Sequence, residues 1–64
     1  MEIYIERQDE HIKKRFNGKA VDLLKQLKIN PVTIVLVQNG RIVPEQVELK
    51  DTDKIEILEV VSGG

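Results

Sequence analysis

Gly63-Gly64 close the chain directly after Lys54-Ile55-Glu56-Ile57-Leu58-Glu59-Val60-Val61-Ser62, so an apolar, strand-like run is expected to pass into two residues without side chains and a carboxylate. That carboxylate, on Gly64, is the most promising reactive group in the sequence. Two residues lacking Cβ adopt dihedrals closed to others and can thread a slot where backbone approaches backbone. This suits a carboxylate presented to another protein's active site, with residues 62–64 as a flexible tail. A carboxylate resists nucleophiles because its charge repels them and it would have to expel oxide. Conversion to an acyl derivative with a good leaving group would let a nucleophile of another protein attack it. In such chemistry the small chain is the substrate and needs no catalytic group of its own.

The other side chains offer less. His11 is the only histidine and there is no cysteine, so thiolate zinc sites, disulfides and a His-based nucleophilic pair are not expected. No metal is expected. Asp51 and Asp53 read as turn formers, two carboxylates being too few oxygens for a calcium loop. The seven lysines, Lys13, Lys14, Lys19, Lys25, Lys28, Lys50 and Lys54, are acceptors for the chain's own conjugation or simply solubilising charges.

Ten basic and eleven acidic residues are interspersed and give a net charge of −1, which leaves no basic face for gripping phosphates. Nucleic acid is therefore not an expected partner. The longest uncharged stretch, Ile29 to Gly40, is too short to cross a bilayer, and Met1-Glu2-Ile3-Tyr4-Ile5-Glu6 lacks the basic start of a signal peptide. A cytoplasmic location without a membrane partner follows as the expectation. Sixty-four residues suggest one domain, 1–64, with little room for an enclosed pocket.

The elements that would position the tail can be read from periodicity. Ile3 and Ile5 alternate with Glu2, Tyr4 and Glu6, and a polar turn at Gln8-Asp9-Glu10 precedes a second strand over Ile12–Phe16. Ala20, Val21, Leu23, Leu24 and Leu27 form the apolar stripe of a helix whose other face carries Lys19, Asp22, Lys25 and Lys28. Lys19 is a poor N-cap, and Asn30-Pro31 is expected to stop the helix. Val32 to Val37 reads as a strand, Asn39-Gly40 as a hairpin turn returning through Arg41-Ile42-Val43, and Pro44 confines that return to a sheet edge. Asp51-Thr52-Asp53 turns the chain into the last strand. The predicted order is ββαβ(β)β.

One helix packed on one face of a mixed four- to five-stranded sheet buries these stripes, with the first and last strands parallel through the helix-containing crossover. This is an α+β, β-grasp arrangement. In the last strand Ile55, Ile57 and Val61 face one way, and Glu56, Leu58, Val60 and Ser62 the other. One helix cannot cover both faces. The uncovered face is expected to expose Leu58 and Val60, with Ser62, Tyr4 and either Ile34 and Leu36 or their alternates, as a partner-binding patch.

The segments Val37 to Pro44, Asp51 to Ile57 and Val60 to Gly64 together resemble the ubiquitin-like sulfur carriers, which include thiamin-pathway carriers, the small subunit of molybdopterin synthase and archaeal small modifier proteins. The specific part is the combination of the Asn-Gly hairpin, the Asp-x-Asp turn and the terminal Gly-Gly. The resemblance implies that a ubiquitin-activating-like adenylyltransferase uses ATP to adenylate Gly64, with Gly63 beside it, while the carrier binds no cofactor. The acyl adenylate then becomes a thiocarboxylate, through a sulfur donor and for a sulfur-accepting enzyme, or is passed to target-protein lysines. Sulfur delivery in thiamin, molybdopterin or tRNA thiolation pathways, protein modification through Gly64, and a fixed place as the small subunit of a molybdopterin synthase-like enzyme all remain open, as does a plain interaction module. Ala20 stands where many relatives place Ser or Thr at the helix start, and Ser62 is not diagnostic of any branch.

Overall fold

The computed structural model describes residues 1–60. Strand β1 is Glu2–Ile5, with Ile3 and Ile5 buried. A single 3-10 turn over Glu6–Gln8, closed by Asp9 in a left-handed conformation, leads into β2, Glu10–Lys13. Then come β3 (Gly18–Lys19), α1 (Ala20–Gln26), β4 (Ile34–Gln38), β5 (Arg41–Val43), β6 (Glu48–Leu49) and β7 (Lys54–Glu59). The main sheet has the order β2-β1-β7-β4-β5, with β1 and β7 parallel and every other pairing antiparallel. This is the expected ubiquitin-like β-grasp. A small antiparallel ribbon of β3 with β6, not foreseen in the sequence, lies outside it.

The helix supplies the lid of the core. Ala20, Leu23 and Leu24 are fully buried and belong to one cluster with Ile3, Ile5, Leu36, Leu49, Ile55 and Ile57. Lys19 does not cap the helix with its side chain. The first free N–H groups are met by a distant loop instead, Ala20 donating to the Val47 carbonyl at 2.8 Å and Val21 to that of Glu45 at 2.8 Å. A serine or threonine cap is thereby replaced by tertiary backbone bonds.

Three boundaries differ from expectation. The helix stops before Asn30-Pro31, because Lys28 takes a left-handed conformation (φ 58°). There Lys28 N–H donates to the Lys25 carbonyl and Ile29 N–H to that of Leu24, the paired closure of a Schellman motif with lysine where glycine is usual. The following strand begins at Ile34, not at Val32. Pro31–Thr33 form a 3-10 turn in which the Asn30 side chain accepts from Val32 N–H at 3.0 Å. The second strand ends at Lys13 and does not reach Phe16.

The Asn39-Gly40 turn forms as predicted, with φ of 51° and 84°, and Pro44 follows the edge strand β5. Asp53 ties this turn to β7. Its carboxylate accepts from Lys50 N–H at 2.8 Å, Gln38 Nε2 at 2.8 Å and Asn39 Nδ2 at 3.0 Å, while Asn39 Oδ1 accepts from Lys54 N–H at 2.9 Å. Asp51 acts similarly at the other end of the turn, accepting from Phe16 N–H and from the Met1 amine.

The Lys50 N–H, then the Asn39 and Gln38 amides, hold the Asp53 carboxyl below its ordinary pKa, and the Phe16 N–H with the Met1 amine does the same for Asp51. A carboxyl lowered on folding stabilises the native state above its unfolded pKa of about 4, and that contribution is lost as pH falls through the lowered folded value. Thermal midpoints measured across pH should therefore fall as the pH drops below about 4, as these carboxyls take up protons. Asp53→Asn should have a lower midpoint at neutral pH and a shallower acid limb. An unchanged acid limb in that variant would remove Asp53 from the explanation.

Candidate functional site

Pairing in the sheet sorts the side chains into two faces. Leu36 pairs with Ile57 and looks toward the helix, so its neighbours Val35 and Val37 look away, Val35 opposite Leu58 and Val37 opposite Glu56. The choice between Ile34 with Leu36 and their alternates thus falls to Val35 and Val37. Because the two-residue turn sets Gln38 opposite Arg41, it also sets Val37 opposite Ile42. The open face carries one row across the strands, His11, Tyr4, Glu56, Val37 and Ile42, and a second row of Leu58 with Val35.

Leu58 and Val35 are half-buried, whereas Ile42 is 78% and Val60 48% exposed. Val37 is 7% exposed although no helix covers it, so its strand neighbours enclose it. Leu58 and Val60 therefore share an apolar strip with Val35, Val37 and Ile42. Of these, Ile42 was not singled out from the sequence, although it could have been found by carrying the Asn-Gly register one pair beyond the turn.

Tyr4 lies on the expected face but at the margin of the strip, separated from Val37 by Glu56. Its ring sits 4.7 Å from that of His11, and its hydroxyl donates to Asp9 Oδ1 at 3.0 Å. That bond raises the phenol pKa and keeps it protonated. A mixed-charge depression of about 620 Å³ beside Tyr4, His11, Lys13, Lys54 and Glu56 lies at the start of β7, the end remote from the C-terminal residues. Nearby Lys54 and Glu2 are 3.9 Å apart and both exposed, so their pairing adds little.

Beyond β7 the Val60 N–H donates to the Thr33 carbonyl at 2.9 Å, which anchors the last described residue to the turn before β4. Ser62, Gly63 and Gly64 lie outside the described residues, as does Val61. The apolar strip nevertheless borders the point from which they depart.

Ile57 is 2% exposed, and placing an unpaired carboxylate there should cost several kcal/mol, a large share of the total stability of a small domain. Ile57→Asp should unfold the chain. Val60→Asp and Ile42→Asp should shift stability by no more than about 0.5 kcal/mol, as surface substitutions generally do. Urea titration followed by circular dichroism separates these cases; collapse of Val60→Asp with tolerance of Ile57→Asp would reverse the assignment of faces.

A model of the ThiS family matches residues 3–64. The fold is similar to the solution structure of a thiamine biosynthesis protein from Geobacter metallireducens, with a TM-score of 0.60 at 20% identity over 100% of this chain and 88% of that one. None of the described helices is long and apolar enough to cross a membrane. With its helix on one face of a five-stranded mixed sheet and a family match that runs through Gly63-Gly64, the chain belongs to the ThiS family of ubiquitin-like sulfur carriers.

Proposed function

We propose that the Gly64 carboxylate carries the sulfur, as a thiocarboxylate made after adenylation by a ubiquitin-activating-like enzyme in the cytoplasm. The reading rests chiefly on the family match extending to residue 64 and so including both terminal glycines. In the first step the carboxylate oxygen attacks the α-phosphorus of ATP and pyrophosphate leaves. The resulting mixed anhydride has a good leaving group, and sulfur at the sulfide level, supplied by a donor protein, adds to the carbonyl and expels AMP to leave the thiocarboxylate. ATP belongs to the activating enzyme, and this chain supplies the tail and a docking surface.

The apolar strip of Leu58, Val60, Val35, Val37 and Ile42 supplies that surface, with Tyr4 at its margin. Its position next to the departing tail lets one partner hold the sheet while residues 62–64 enter its active site. A thiocarboxylate keeps its negative charge on a polarisable sulfur and is a nucleophile at neutral pH, ready for a sulfur-accepting enzyme. Thiamine synthesis is the outlet the family assignment favours.

Deleting Gly64, or adding a residue after it, should abolish ATP–pyrophosphate exchange with the activating enzyme and leave the circular dichroism spectrum unchanged. Undiminished exchange by the truncated chain would end the proposal. Val60→Asp and Ile42→Asp should raise the carrier concentration needed for half-maximal exchange with little change in stability; an unaltered requirement would remove the strip from the docking surface. Intact-mass measurement of protein from its native host should show a fraction with sulfur in place of one terminal oxygen. Free acid together with Gly64-to-lysine linkages alone would make protein modification the principal role, and a thiocarboxylate persisting in cells that lack thiamine synthesis would point to molybdopterin or tRNA thiolation.

A further inference from the structure

The Asn39-Gly40 turn holds a chemistry that sulfur transfer does not use. Both residues are exposed to solvent, and apart from the two chain neighbours no atom lies within 4 Å of where a Gly40 Cβ would stand, so no other part of the fold crowds the turn at Gly40. The adjacent Asn39 side chain has a carboxamide carbon within covalent reach of that nitrogen. It is, however, held from two sides: Nδ2 donates to Asp53 Oδ1 at 3.0 Å and Oδ1 accepts from Lys54 N–H at 2.9 Å. Only one orientation of the amide satisfies both bonds.

We propose that Asn39 is a covalent-modification site, deamidated through attack by the Gly40 nitrogen, and that the Asp53 clamp sets how rarely this happens. The Gly40 N–H loses its proton to solvent base and the nitrogen adds to Asn39 Cγ. The Cγ–Nδ2 bond then breaks, ammonia leaves with a proton from water, and a five-membered succinimide remains. Water opens that ring at one of its two carbonyls to give aspartate or isoaspartate, with no change in oxidation state. Attack requires Asn39 to release Asp53 and Lys54, so it proceeds only from a locally opened turn.

The product cannot return to the clamp. A new carboxylate replaces the Nδ2 donor 3.0 Å from Asp53 and repels it, and isoaspartate also lengthens the turn backbone, which disrupts the pairing of Gln38 with Arg41. The modification therefore loosens the hairpin that carries Ile42.

Incubation of the full chain in mildly alkaline buffer, with peptide mass mapping across Asn39, tests this. The chain unfolded in urea should deamidate roughly tenfold faster than the folded chain or more, as expected when attack needs an opening populated to about a tenth or less. Asp53→Ala, or Asp53→Ser if the alanine variant does not fold, should deamidate faster than the native chain under conditions where circular dichroism shows it folded. Gly40→Ala in urea should slow the reaction, since a methyl group now crowds the attacking nitrogen. Equal rates in the folded and urea-unfolded native chain, or a folded Asp53 variant no faster than the native chain, would overturn the proposal.

Discussion

The parallel pairing of β1 with β7 is the constraint on which the rest of the molecule depends. Parallel neighbours cannot be joined by a tight turn, so everything between Ile5 and Lys54 has to serve as the crossover. The helix lies within that crossover and packs back on the sheet, where Leu23 and Leu24 meet Ile3, Ile5, Ile55 and Ile57. Because β7 is the central strand, flanked by β1 and β4, the residues after it depart from the middle of the sheet and not from an edge.

Among the described residues one α-helix packs on the five-stranded sheet, which leaves that sheet's second face without a covering layer. The same shortage of material that limits stability therefore produces the apolar strip. Val37 and Leu58 reduce its cost by packing among cross-strand neighbours, while Ile42 and Val60 stay open to solvent. A surface suited to a partner and a fold of minimal size are here two consequences of one architecture.

Polar bonds of long sequence separation hold the ends of the strands. Asp53 gathers Gln38, Asn39 and Lys50, Asp51 gathers Phe16 and the chain's first amine, and the carbonyls of Glu45 and Val47 start the helix. These carboxylates would look like the beginnings of a cation site if composition alone were considered. Their partners are backbone and amide N–H groups, and among the described residues no group of three acidic or histidine side chains is placed to hold a metal.

What the sequence determined by itself is what local periodicity encodes. The period of two in β1 and β7, the three- and four-residue spacing from Ala20 to Leu27, and the Asn-Gly turn are each short-range consequences of backbone geometry, and they led to the sheet, the helix and the hairpin. The division of β7 into an Ile55/Ile57 face and a Leu58/Val60 face was legible for the same reason. Tertiary structure decided the rest. Lys28 ends the helix in a conformation its own side chain disfavours, because the Leu24 and Lys25 carbonyls are closed there. The helix start relies on carbonyls more than twenty residues away in the chain, which no N-cap rule can see. Which residues of β4 join the apolar strip depended on its register against β7, and register is a relation between strands that neither strand specifies alone.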